Sequence, residues 1–75
     1  MERYRDWNGD SNVEEYEIFP GGILIKFKKG TYQTYKYTVA SAGSVVIGEM
    51  QRLAERGDGL GSFLGHEKPG YEDRW

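Results

Sequence analysis

The 75-residue chain has no cysteine, a single histidine and two prolines. Without cysteine there can be no disulfide staple and no thiolate metal site, and the composition fits a reducing compartment. His66 standing alone argues against a transition-metal centre. No apolar run approaches the roughly 20 residues that cross a bilayer. The opening Met-Glu-Arg-Tyr-Arg has no apolar segment behind it, so no signal peptide is expected. These features lead us to expect a cytoplasmic protein. A surplus of positive charge is also missing. The net charge is −2, whereas a general polynucleotide binder is usually basic overall.

The charge that is present is unevenly spread. Residues 1–17 sum to −4, residues 18–39 to +4 and residues 40–75 to −2. All the positive excess falls on a segment whose pattern is that of β-structure. Gly30-Thr-Tyr-Gln-Thr-Tyr-Lys-Tyr37 is rich in tyrosine and threonine, which favour a pleated strand. Tyr35 and Tyr37 share one face of that strand, and Lys36 points to the other.

Three strands can be placed, at about 13–18, 22–28 and 32–39, followed by a helix over about 44–56. Phe19-Pro20-Gly21-Gly22 supplies the first turn and Lys29-Gly30-Thr31 the second. A three-residue second turn pairs Ile25 with Tyr35 and Ile23 with Tyr37, which gathers the apolar stripes on one side. A one-residue slip would scatter them. A four-residue first turn pairs Ile18 with Ile23 and Tyr16 with Ile25.

The helix presents Val46, Ile47, Met50, Leu53 and Ala54 at helical spacing. Ser41 or Ser44 is the expected N-cap, and Gly57 the stop. Gly48 costs about 1 kcal/mol in a helix interior, so close packing on the tyrosine face is expected there. The expected core is Tyr16, Ile18, Ile23, Ile25, Phe27, Tyr35, Tyr37, Val46, Ile47, Met50 and Leu53.

The fold class is therefore α+β: a three-stranded antiparallel β-meander packed on one C-terminal helix, with polar arms at 1–12 and 66–75 flanking a single domain at 13–65. Such a small core suggests a homodimer. Trp75 is expected to be at least partly buried by its tail folding back.

Several constellations resemble sites but lack their context. Gly57-Asp-Gly-Leu-Gly61 follows a helix rather than a strand, which excludes the Rossmann and P-loop readings. It is better suited to a flexible turn that returns Leu60, Phe63 and Leu64 to the core. Asp58, Ser62 and His66 are spaced by four but have no evident oxyanion site, so no catalytic triad is inferred. Glu14, Glu15 and Glu17 read as a solvated strand edge. No enzymatic activity and no cofactor are expected.

The outer sheet face offers Lys26, Lys28 and Lys36 as charge and Tyr32 as a stacking surface, a combination suited to a phosphate-bearing or base-stacking ligand. Ser41 and Ser44, at the start of the helix, add backbone donors for an anion.

Phe27 and Gly30 ahead of Tyr35-Lys36-Tyr37, with Ala54, Gly57 and Phe63 beyond, resemble the KTSC domain. That short domain occurs alone in bacterial and phage-type proteins and at the end of some lysyl-tRNA synthetases. The similarity spans about Val13 to Leu64. It implies a strand, a hairpin and then a helix, with RNA binding as the activity proposed for the family. The leading expectation is a non-enzymatic module for RNA or a small nucleotide-type ligand. The alternative is a phage or mobile-element protein-interaction module, such as an inhibitor of a host defence protein or an oligomer that sequesters a nucleotide signal.

Overall fold

The computed structural model describes residues 1–9 and 11–75. Among these, five antiparallel strands and three helices follow in the order β1 (Glu2–Arg3), β2 (Val13–Phe19), β3 (Gly22–Phe27), β4 (Thr34–Thr38), α1 (Val39–Ala42), α2 (Ser44–Arg56), α3 (Leu60–Glu67) and β5 (Asp73–Arg74). The strands stand side by side in sequence order. No helix among the described residues is long and apolar enough to cross a membrane.

The central meander β2–β3–β4 has the register that side-chain alternation demands. Tyr16 faces Ile25, Ile18 faces Ile23, Ile23 faces Tyr37 and Ile25 faces Tyr35. A bulge between Val13 and Glu15 shifts the start of β2, so that Val13 still meets Phe27 on the inner face. Helix α2 lies across that face and buries Ile47, Met50, Leu53 and Ala54. The Gln51 amide donates to the carbonyl oxygens of Gly22, at 2.9 Å, and Phe19, at 3.4 Å, fixing the helix to the first turn.

The structure departs from the sequence expectations in four respects. First, both polar arms join the sheet. Residues 2–3 pair with Glu15 and Tyr16, and residues 73–74 pair with Tyr35 and Lys36. The free edges of β2 and β4 would otherwise present unpaired backbone groups, and the arms satisfy them. Second, Gly59 in the left-handed region starts a further helix, α3, so residues 57–61 are a helix-to-helix junction and not only a turn. Third, neither serine caps α2. Gly43 holds that position, while Thr38 caps α1 in a reciprocal box with Ser41. Fourth, Gly48 is open: a Cβ there would meet nothing within 4 Å, so no close packing requires it.

The core is larger than the meander and α2 alone supply. Tyr4, Val13, Ala54 and Leu60 are all at most 3% exposed and join the expected residues. The Tyr4 hydroxyl accepts the Leu60 N–H at 3.1 Å, tying the N-terminal arm to the start of α3. Ile18 is the exception among the expected core, at 36% exposure. It shares the inner face, but β1 reaches only Glu15 and Tyr16 and leaves its flank open. Phe27, Tyr35 and Val46 are half-buried against the core.

Candidate ligand groove

The six residues singled out as binding candidates do not converge. Lys26 and Lys36 share the outer face of the sheet, in register with Glu15 and Asp73. Each lysine of the set has an acidic neighbour. Lys26 Nζ lies 3.8 Å from Glu14, Lys28 Nζ 3.4 Å from Asp6 and Lys36 Nζ 3.3 Å from Glu72. Acids from β2 and from both arms thus offset three of the hairpin's four lysines. Ser41 is engaged in the α1 capping box, and Ser44 is the first residue of α2. Of the six, Tyr32 alone lines the principal cavity.

That cavity is an open groove of about 950 Å³ on the inner face, between the sheet and α3. It exists because α2 covers only part of the tyrosine stripe, and α3 turns glycine toward the remainder. Gly61 and Gly65 both line the groove. A Cβ at Gly61 would meet the Ser11 hydroxyl at 2.6 Å, so this glycine allows the helix to approach the N-terminal segment. A Cβ at Gly65 would meet nothing within 4 Å, so the space beside it is vacant.

The aromatic side of the groove is built by β4 and the arm that docks on it. The Tyr35 ring stands edge-on to Phe27 at 5.4 Å and to Tyr71 at 5.1 Å, and near-parallel to Tyr37 at 6.2 Å. Pairing of Tyr35 with Arg74 puts the guanidinium on the same face. It lies 4.2 Å from the centre of the Tyr32 ring and 5.1 Å from that of Tyr71, both within cation–π range. The Tyr35 hydroxyl first, and then Tyr71 and Tyr32, push the guanidinium's pKa up, which favours its charged form. Two tyrosine rings thus flank an exposed guanidinium at the groove mouth.

The opposite end is polar and acidic. The Asn8 amide donates to Asp58 Oδ1 at 2.9 Å, and both residues line the groove. Trp7, next to Asn8, donates its indole N–H to the Arg56 carbonyl at 3.1 Å, which seats this arm on the end of α2. Between the two ends runs the tyrosine floor. Burial pushes the Tyr37 hydroxyl up to about 12, with smaller effects from Tyr35 and Tyr71. Tyr37 therefore stays protonated and serves as an apolar, neutral surface. On the far side of β4, Glu72 is held below the usual carboxylate range, first by the Thr38 hydroxyl and then by Lys36.

Among the described residues, no group of three His, Cys, Asp or Glu side chains comes together as a metal-ligand set. The arrangement is chemically suited to holding a flat, partly polar molecule: aromatic surface on one wall, a fixed guanidinium at one end, and hydrogen-bonding carboxylate and amide groups at the other.

No protein-family model matches the chain, and comparison with curated proteins and with solved structures found no match.

The lysines of residues 18–39 are the only local excess of positive charge, and the register puts Lys26 and Lys36 on the outer face. Arg74 and Asn8 lie in arms without hydrophobic period, so no pattern placed them beside β4 or α2. One signal was available. Gly61 and Gly65 are separated by one helical turn, and small residues at that spacing leave a helix face open.

Proposed function

We propose that this chain is a non-enzymatic binding module for a small, phosphate-bearing, nucleotide-type ligand, held in the groove between the sheet and α3. The observation that carries this reading is a cavity of about 950 Å³ that joins an aromatic wall to one oriented guanidinium. Its size lies at the upper end of ligand pockets, roughly 300–1,000 Å³. Tyrosine rings offer stacking surface to any base, and arginine is the preferred partner of phosphate.

A small ligand is favoured over extended RNA. Binding along a nucleic-acid backbone needs several uncompensated cations. Here Lys26, Lys28 and Lys36 are each matched by an acid, and the net charge is −2. The resemblance to the KTSC domain supports a binding role without choosing between the two. A protein-interaction module is the second reading, and it draws on Trp7 and Trp75, which are 68% and 57% exposed at opposite ends of the sheet.

The test is a calorimetric titration of the chain and of Gly65→Phe with a panel of mononucleotides and a short single-stranded RNA. The phenylalanine would occupy vacant space in the groove without displacing a neighbour at its Cβ. Mononucleotide binding by the parent chain and its loss in a folded Gly65→Phe variant are expected. Equal binding by both proteins would refute the groove. RNA binding with a steep salt dependence and no mononucleotide binding would favour an extended surface instead.

A further inference from the structure

The groove has unlike ends, and this gives a bound molecule a direction. Resting on the reading above, we infer that the ligand lies with its anionic group on Arg74 and the amino-bearing edge of its ring on Asp58 and Asn8. That is the chemistry of a nucleoside monophosphate whose base carries an exocyclic amine.

Arg74 is the anion contact because of how it is held. Its guanidinium lies over the Tyr32 and Tyr71 rings, while no carboxylate among the described residues forms an ion pair with it. The ring faces engage the cation from the side and leave N–H groups for a phosphate oxygen. The cost of ordering a long side chain is thus met before the ligand arrives.

The other end reads donors. Asp58 accepts one bond from Asn8, and a carboxylate has capacity for more. Its nearest base, Arg56, is 3.9 Å away, too far for a hydrogen bond, so the carboxylate keeps acceptor capacity for a ligand amine. An anion placed here would be repelled by Asp58, so the direction is enforced at both ends.

The span suits the assignment. Asn8 comes from the segment joining β1 to β2, and Arg74 from β5. The distance from β2 to β5 is three strand spacings, roughly 14 Å. An extended mononucleotide bridges a span of this order, whereas a free phosphate or a lone base reaches only one end.

The test is titration calorimetry of the full chain with AMP, inosine monophosphate (which lacks the amine) and adenosine. AMP should bind tightest, and inosine monophosphate about tenfold more weakly, as expected for one lost hydrogen bond to a charged group. Arg74→Gln should weaken AMP about tenfold or more and leave adenosine within about twofold. Asp58→Ala should bring AMP level with inosine monophosphate.

The adenosine arm guards against a merely structural effect. If Arg74→Gln undocked β5 and spoiled the groove, adenosine would weaken together with AMP, and that result overturns the anion assignment. Equal binding of AMP and inosine monophosphate by the parent chain overturns the base-end assignment. In both cases the groove reading survives if Gly65→Phe still abolishes binding. If none of the three molecules binds, or if Gly65→Phe leaves binding intact, the groove reading itself falls.

Discussion

Gly57 is where the N-terminal arm, the end of α2 and the polar end of the groove meet, and substituting it tests that junction. It sits at φ 77° as the left-handed cap of α2, with its N–H directed to the Leu53 and Ala54 carbonyls. Alanine there pays about 1–2 kcal/mol for the left-handed backbone. It also gains a Cβ 2.8 Å from the Arg5 Cβ and 3.1 Å from the Trp7 indole nitrogen. Neither atom can swing away. The Arg5 Cβ is fixed to its backbone, and Trp7 is held by its N–H to the Gly57 carbonyl and its indole to Arg56. Overpacking of this kind costs about 1–3 kcal/mol. The sum, about 2–5 kcal/mol, is a large share of what a domain this small possesses. Gly59 supplies the control. It has a similar φ of 85°, yet its Cβ would meet only Leu53 Cδ2 at an ordinary 3.6 Å. Gly59→Ala should therefore cost only the backbone share. Denaturant titration of both variants, followed by tryptophan emission, separates the two costs. Gly57→Ala should lose at least about 1 kcal/mol more than Gly59→Ala. If the two variants lose equal stability, the arm does not pack on Gly57, and the account of the junction is wrong.

Other perturbations have calculable outcomes. Gly48→Ala should raise stability by about 1 kcal/mol in the same assay, because the site is helical and open. Gly22→Ala should be among the most damaging single substitutions, at roughly 3 kcal/mol or more, since its Cβ would strike the Phe19 ring and the Tyr37 carbonyl oxygen, the latter at 2.5 Å. Because burial raises Tyr37 from 10.0 to about 12, the folded state retains a proton that the unfolded chain releases. Stability from this group is complete below pH 10 and is lost as pH climbs toward 12, by about 2–3 kcal/mol in all. Denaturant titrations across that range should therefore show a steeper alkaline loss in the parent chain than in Tyr37→Phe. Deleting residues 71–75 removes the main-chain bonds between Trp75 and Thr34 and between Glu72 and Lys36, so the melting temperature should fall by roughly 5–15 °C. An unchanged melting temperature would mean that β5 adds nothing to the sheet.

The meander was legible because its information is periodic. Ile23, Ile25, Tyr35 and Tyr37 alternate strictly, and only one register buries them together. Helix α2 was legible for the same reason, with Gly57 marking its end. The arms carried no such signal, since a two-residue strand has no period. They are strands because β2 and β4 have edges to satisfy, a property of the assembled sheet rather than of residues 2–3 or 73–74. Helix α3 was hidden by Gly61 and Gly65, which lower helix propensity while Leu60, Phe63 and Leu64 supply its apolar contacts. The tail was expected to dock, and it does so through its backbone. Trp75 exchanges two bonds with Thr34, at 2.9 and 3.0 Å, while its side chain stays 57% exposed.

The same division explains why the groove differs from the outer face that the sequence pattern singled out. Sequence pattern describes what a strand does with its own two faces, and on that basis Tyr35 and Tyr37 were assigned to one core stripe. The structure keeps them on one face but buries them to different degrees. Tyr37 is 5% exposed and forms the floor of the groove, whereas Tyr35 is half-buried and turns its edge to Phe27 and Tyr71. What makes Tyr35 a wall rather than a core residue is that α2 stops short of it and α3 offers glycine in its place. What gives that wall a charge is Arg74, which arrives on a strand that forms only because β4 has a free edge. The other end depends on the opposite arm, where Trp7 anchors Asn8 beside Asp58. Both arms are therefore structural edges and site components at once. A substitution that loosens either arm should impair binding and stability together, whereas Gly65→Phe should impair binding alone, and that contrast is how a groove residue can be told from a scaffold residue here.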